Sequence, residues 1–188
     1  MLLFVNACAR AQSRTLALAH AAAAHLAKED VVTLNLFEED LAPLDGDRLT
    51  KREALSAAGD FEDEMFRFAK QFRDAEEILI AAPYWDLSFP AVLKCYLEAV
   101  CVCGLTFVYG ERGIPVSLCS ARRLIYVTTA GGFIPKDNFG YDYVRRLCTD
   151  FFGVKDTVCI KAEGLDIDGA DVPRILAAAA ENVKKQLG

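Results

Sequence analysis

Residues able to do chemistry crowd into three short stretches. The first is Asn6-Ala-Cys8-Ala-Arg10-Ala-Gln-Ser13-Arg14-Thr15. It follows an apolar run, Leu2-Leu-Phe-Val5, and opens an Ala- and Leu-rich segment of helical composition. A dinucleotide-binding turn at such a junction needs a glycine fingerprint, and this stretch has no glycine. It offers instead the hydroxyls of Ser13 and Thr15, the guanidinium groups of Arg10 and Arg14, and the N–H groups of a helix start. Those groups suit a terminal phosphate. The plainer reading is capping, with Ser13 as N-cap and Arg14 and Thr15 exposed.

The same stretch has a second reading through Cys8. Cys8, Arg14 and Thr15 have the spacing of the nucleophile loop of low-molecular-weight tyrosine phosphatases, which it resembles. A thiolate at a helix N-terminus has a lowered pKa and attacks phosphorus. That family also needs a general acid in an Asp-Pro pair and a glycine in the loop, and this chain has neither.

The second stretch is Ala82-Pro83-Tyr84-Trp85-Asp86-Leu87-Ser88-Phe89-Pro90, followed by Ala91-Val-Leu-Lys94, and it holds the single Trp. Two prolines stiffen a loop after an apolar run. Its N–H groups can bond the polar edge of a flat heterocycle while the aromatics cover a face. An ordinary strand-to-helix turn with core aromatics fits equally well. The third stretch is Thr128-Thr129-Ala130-Gly131-Gly132, where residues without Cβ let backbone approach a ring closely.

Together with Gly104-Leu-Thr-Phe107-Val-Tyr109-Gly110, these motifs resemble the FMN-dependent NAD(P)H azoreductases and quinone reductases of flavodoxin-like fold. The resemblance runs from the first strand to just past Gly132; the C-terminal third agrees in element order only. It implies that Arg10, Ser13, Arg14 and Thr15 hold the FMN phosphate. It implies that Pro83, Tyr84, Trp85, Asp86 and Leu87 hold the isoalloxazine, with Thr129, Ala130, Gly131 and Gly132 at its other edge. It further implies NADH or NADPH as donor, a small aromatic acceptor, ping-pong hydride transfer and a homodimer with flavin sites at the interface. No protein side chain is then catalytic, because the cofactor carries the reaction. Two positions depart from the family. Asp86 stands where Asn is common, and Ala130 where Arg is frequent. An ionised Asp86 near the flavin would lower its potential.

Elements to position these stretches follow from periodicity. Apolar strand runs fall at 2–5, 31–34, 78–82, 123–128 and 157–160. Helical segments fall at 13–26, 48–57, 60–73, 90–102, 141–151 and 172–186, the third marked by Phe61, Met65, Phe68 and Phe72. The strand runs are apolar on both faces, which implies a parallel sheet covered on both sides. The expected fold is α/β, a flavodoxin-like three-layer sandwich over residues 1–188. Its five-stranded parallel sheet has order 2-1-3-4-5, with ligands at the carboxyl ends of strands one and three.

Composition narrows the partners. The chain has 188 residues, 53% of them hydrophobic, with a net charge of −6. That charge argues against nucleic acid and against an anionic membrane surface. No apolar stretch is long enough to span a bilayer, and the start, Met1-Leu-Leu-Phe-Val-Asn6, does not read as a signal peptide. Residues 45–77 carry ten acidic and six basic side chains, whereas 78–110 carry only Asp86, Lys94 and Glu98. The first block reads as solvated helix, the second as dimer face and platform for a ring. Seven cysteines, an odd number, read as reduced, buried thiols in a cytoplasmic protein. Cys95, Cys101 and Cys103 lack zinc spacing, and His20 and His25 read as helix-face residues, so no metal is expected. The alternative function is a flavin electron carrier with no pyridine-nucleotide activity of its own.

Overall fold

The computed structural model describes residues 1–26 and 30–188. Strands β1 (Leu2–Asn6), β2 (Val31–Asn35) and β3 (Glu77–Ala81) alternate with helices α1 (Arg14–Leu26), α2 (Gly46–Ala58) and α3 (Arg67–Asp74). Helix α4 (Ala91–Val100) leads into a short hairpin, β4 (Phe107–Tyr109) and β5 (Pro115–Ser117). Then come β6 (Arg123–Thr129), α5 (Tyr141–Asp150), β7 (Asp156–Ala162) and α6 (Val172–Leu187). The main sheet runs β2-β1-β3-β6-β7, every pairing parallel. Counting only its own strands, this is the expected order 2-1-3-4-5.

Side-chain alternation along the strands builds two cores. Leu3, Val5, Ile78, Ile80, Leu124 and Tyr126 pack with Phe68, Phe72, Leu93, Tyr96, Leu97 and Val144, residues of α3, α4 and α5. Leu2, Phe4, Leu79, Ala81, Ile125 and Val127 pack with Leu18, Ala19, Ala22, Ala179 and Val183, residues of α1 and α6. A strand with both faces buried must be apolar at every position, which is why these runs do not alternate with polar residues.

Beyond shifts of a residue or two at element ends, such as α2 starting at Gly46 and β7 running to Ala162, three departures from the sequence reading have a visible cause. The β4–β5 hairpin falls where the sequence reading places no element, between the helix over 90–102 and the strand at 123–128. Its strands are three residues each, too short for a period to show. The helix expected over 60–73 starts late, because the Asp63 carboxylate accepts the Met65 N–H and begins a separate 3-10 turn at Glu64–Phe66. Phe61 and Met65 pack instead around Phe66, Ala69, Val102 and Leu105. Helix α4 stops at Val100, two residues early. The buried Thr106 hydroxyl donates its one proton to the Val100 carbonyl at 2.8 Å, with the Val102 carbonyl 3.2 Å away, and accepts the Val102 N–H.

The cysteines also divide. Cys8 and Cys148 are buried, Cys95, Cys101, Cys119 and Cys159 are partly buried, and Cys103 is exposed, so the expectation of buried thiols fails at Cys103. His20 and His25 are both exposed on α1. No described helix is long and apolar enough to cross a membrane.

Candidate functional site

Parallel strands deliver their following loops to one edge of the sheet. Here the loops after β1, β3, β6 and β7 meet around a narrow cleft of about 160 Å³. Of the residues singled out in the sequence, Arg10, Ser13, Arg14, Thr15, Pro83, Tyr84, Trp85, Thr129 and Gly131 line it. Asp86, Leu87, Ala130 and Gly132 do not.

One wall is the start of α1. The Ser13 hydroxyl accepts the Leu16 N–H at 3.3 Å, so Ser13 is the N-cap. No acidic residue occupies the first turn, leaving the positive end of the helix without a local counter-charge. Arg10 lies exposed beside it. Thr15 is buried rather than exposed, and its hydroxyl shares a 2.7 Å hydrogen bond with that of Thr129. That bond ties the first loop to the end of β6.

The opposite wall begins at Pro83. The Tyr84 N–H donates to the Thr129 carbonyl, prolonging the β3–β6 pairing into the loop. Trp85 and Ser88 then exchange two backbone hydrogen bonds around Asp86 and Leu87. Both central residues are left-handed, with φ of 51° and 67°. Two positive φ values mark the turns that favour Asn-Gly or Asp-Gly. Asp86 suits its position as Asn would; Leu87 is strained there. The turn is anchored from outside, as the Phe139 N–H donates to the Leu87 carbonyl and the Ser88 hydroxyl to the Phe139 carbonyl. Trp85, Leu87, Phe133 and Phe139 remain exposed, an apolar fringe next to a polar cleft.

Sequence reasoning missed Asp166. It stands in the loop after β7 and accepts a 2.8 Å hydrogen bond from Arg14 Nη2, while Arg14 Nη1 donates to the Leu165 carbonyl. Arg14 is therefore already partnered by a carboxylate inside the cleft. Asp166 also explains Gly131. A Cβ on Gly131 would collide with Asp166 Oδ2 and come within 3.0 Å of Cγ, while the Asp166 N–H donates to the Gly131 carbonyl. Ala130, where an arginine is frequent among the azoreductases, is buried and bonded through its backbone to Ala162 and Leu165. The rule of carboxyl ends pointed at strands one and three; extending it to β7 would have found Asp166. Phe133 and Phe139 were also missed, since exposed aromatics carry no periodic signal.

Cys8 lies at the base of the first loop, buried, with its thiol directed to the Ala81 carbonyl at 3.8 Å. Burial pushes its pKa up, against the weaker lowering effect of Ser13. A nucleophilic thiolate needs the opposite shift. Burial also raises the Tyr84 phenol. The described residues hold no cluster of His, Cys, Asp and Glu that could bind a metal.

This sheet order, with a helix N-terminus facing two loops across its carboxyl edge, defines a class of nucleotide-binding α/β proteins. The chain belongs to the family described as flavodoxin-like fold, whose profile matches residues 1–187. Among its relatives is "FMN-dependent NADH:quinone oxidoreductase 2" of Clostridium acetobutylicum, 34% identical over 163 residues, covering 84% of this chain and 80% of that protein. An "FMN-dependent NADH:quinone oxidoreductase" of Clostridium perfringens is 36% identical over 148 residues, covering 77% and 73%. The structure is similar to an azoreductase from Bacillus anthracis, with a TM-score of 0.84, 25% identity and coverage of 98% of this chain and 96% of that one.

Proposed function

We propose that this chain is an FMN-dependent NAD(P)H oxidoreductase that reduces quinones or azo compounds. The observation that carries the reading is the cleft itself. The positive end of α1, capped by Ser13, and the guanidinium groups of Arg10 and Arg14, the latter shared with Asp166, face a rigid, aromatic-bearing loop at the switch point of a parallel sheet. The relatives' names supply the cofactor and the substrate class; the residues present fit both.

FMN, when bound, supplies the hydride chemistry. The protein's part is to hold and shield it. Arg10, Ser13 and the first-turn N–H groups of α1 take the phosphate, with Arg14 and Thr15 behind them. Pro83 to Leu87 support the isoalloxazine, and Thr129 to Gly132 its other edge. Gly132, with open space where a Cβ would stand, lets backbone approach closely, while the space beside Gly131 is taken by Asp166. Trp85, Leu87, Phe133 and Phe139 form the apolar surface that excludes water from the ring. Donor and acceptor use that surface in turn, a ping-pong order. Residues 1–188 act as one FMN-binding domain.

We assign the working form as a homodimer. Support comes from Tyr109, Ile114, Val116 and Leu118, large apolar residues exposed in the β4–β5 region. Surface of that kind on an isolated chain marks an interaction face. The seven cysteines are all free, in keeping with a reducing, cytoplasmic setting.

The assignment of the phosphate end is tested by comparing FMN with riboflavin. Arg10→Ala and Ser13→Ala weaken FMN binding and leave riboflavin unchanged. Equal loss of both flavins would move the phosphate elsewhere.

A further inference from the structure

A second cavity, of about 300 Å³, lies under the loop that follows β6. Rings of Tyr84, Tyr126 and Tyr141 line it, with Ile134 and Pro135 from the covering loop. It opens on the other face of the sheet from α1, because Tyr126 and Thr128 alternate with Thr129 along β6.

Two hydroxyls in its lining stand out. Tyr84 Oη and Thr128 Oγ1 are buried and have no hydrogen-bond partner among the described residues. Thr128 is 2% exposed. Buried hydroxyls are nearly always bonded, and an orphan is costly. Here two orphans border the same space.

We propose that this cavity binds an uncharged monocyclic phenol or quinol. Tyrosine rings make walls for a flat ring. Apolar cavities of roughly 150 Å³ admit a benzene ring, so this one has room for ring and substituents. Each orphan hydroxyl can both donate to and accept from a ligand hydroxyl. Three charged residues line it: Lys161 is paired with Glu163 at 2.8 Å, Asp142 accepts from Asn138 at 3.0 Å, and Lys136 is exposed at the rim, where solvent screens it. Tyr84 lines both this cavity and the cleft above, and so partitions them. The site does not depend on FMN being bound.

The test is a ¹⁹F NMR titration with 4-fluorophenol, run on the protein with and without saturating FMN. Flavin absorbance reports FMN binding separately, so failure of the flavin reading shows on its own. The expected result is saturable binding that persists when FMN is present. Tyr84→Phe and Thr128→Val each weaken it about three- to tenfold, the worth of one hydrogen bond. Fluorobenzene binds all three proteins alike. Thr128→Val also melts no lower than the parent, since it exchanges an orphan hydroxyl for a methyl. Absence of saturation, displacement of the phenol by FMN, or affinity indifferent to both hydroxyls would overturn the proposal. So would a lowered melting temperature in Thr128→Val, which would give that hydroxyl a structural partner.

Discussion

Replacing Asp166 by Asn should tighten FMN binding. The Asp166 carboxylate lies 2.8 Å from Arg14, and the two side chains are 65% and 36% exposed. At that exposure the ion pair itself is worth about 0–1 kcal/mol. An FMN phosphate on the same guanidinium carries a charge of roughly −1.5 to −2. In a water-like dielectric, a carboxylate sharing that guanidinium with the phosphate would oppose it by about 1–2 kcal/mol. Removing the charge while keeping the shape should therefore lower the FMN Kd about five- to thirtyfold. The assay is quenching of flavin fluorescence on titration with apoprotein, at 0.1 M and 1 M salt. The gain should shrink at 1 M, where the Debye length falls to about 3 Å. Riboflavin, which lacks the phosphate, should bind parent and variant equally. An unchanged or weaker FMN affinity would refute the reasoning. It would mean that Asp166 serves the site by orienting Arg14 more than it harms it by charge.

Other outcomes follow from the same geometry. Gly131→Ala should cost about 1–3 kcal/mol in stability through the collision with Asp166, and Asp166→Gly in the same chain should restore much of it, read by denaturant melts. Asp86→Asn should raise the two-electron midpoint potential by about 20 mV, equivalent to about 1 kcal/mol from one exposed charge; an unchanged potential removes Asp86 from the flavin's surroundings. Cys8→Ser should leave quinone reduction intact, and the parent should hydrolyse no phosphate ester; loss of a phosphatase activity on this change would restore the thiolate reading. Alkali should destabilise the fold. Burial pushes the thiol of Cys101 up to about 11 and those of Cys119 and Cys159 up to about 12. These folded-state values exceed the unfolded value of about 8.5, so stability is full below pH of about 8.5 and lost as pH rises toward 11–12. A melting temperature flat between pH 8 and 11 would contradict this.

Much of the architecture was legible because burial on two faces leaves a direct trace. Ile78-Leu-Ile-Ala-Ala82 and Leu124-Ile-Tyr-Val127 are apolar at consecutive positions, as central parallel strands must be. The order of the sheet was the five-stranded doubly wound pattern that such alternation suggests. The hairpin left no such trace, since β4 and β5 are three residues each and carry exposed Tyr109 and Val116. In the site, the residue types that suit a phosphate and a ring were visible, and most of them line one cleft. Their pairings were not. The bond between Arg14 and Asp166 spans 152 residues, and that between Thr15 and Thr129 spans 114. Loops meet at the sheet edge because the strands beneath them are aligned, and no local pattern encodes which side chains then touch. Gly131 shows the limit plainly. Its small size was read as room for a ring, whereas the nearest atoms to its missing Cβ belong to Asp166.

The chain is an FMN-dependent oxidoreductase that reduces a quinone or azo acceptor with NAD(P)H. The most direct test of this activity is the absorbance of the FMN-saturated protein under anaerobic conditions. NADH or NADPH should bleach the yellow flavin band, and a quinone added afterwards should restore it. A band that forms but does not bleach would make the chain an electron carrier, and a protein that binds no FMN would contradict the account entirely.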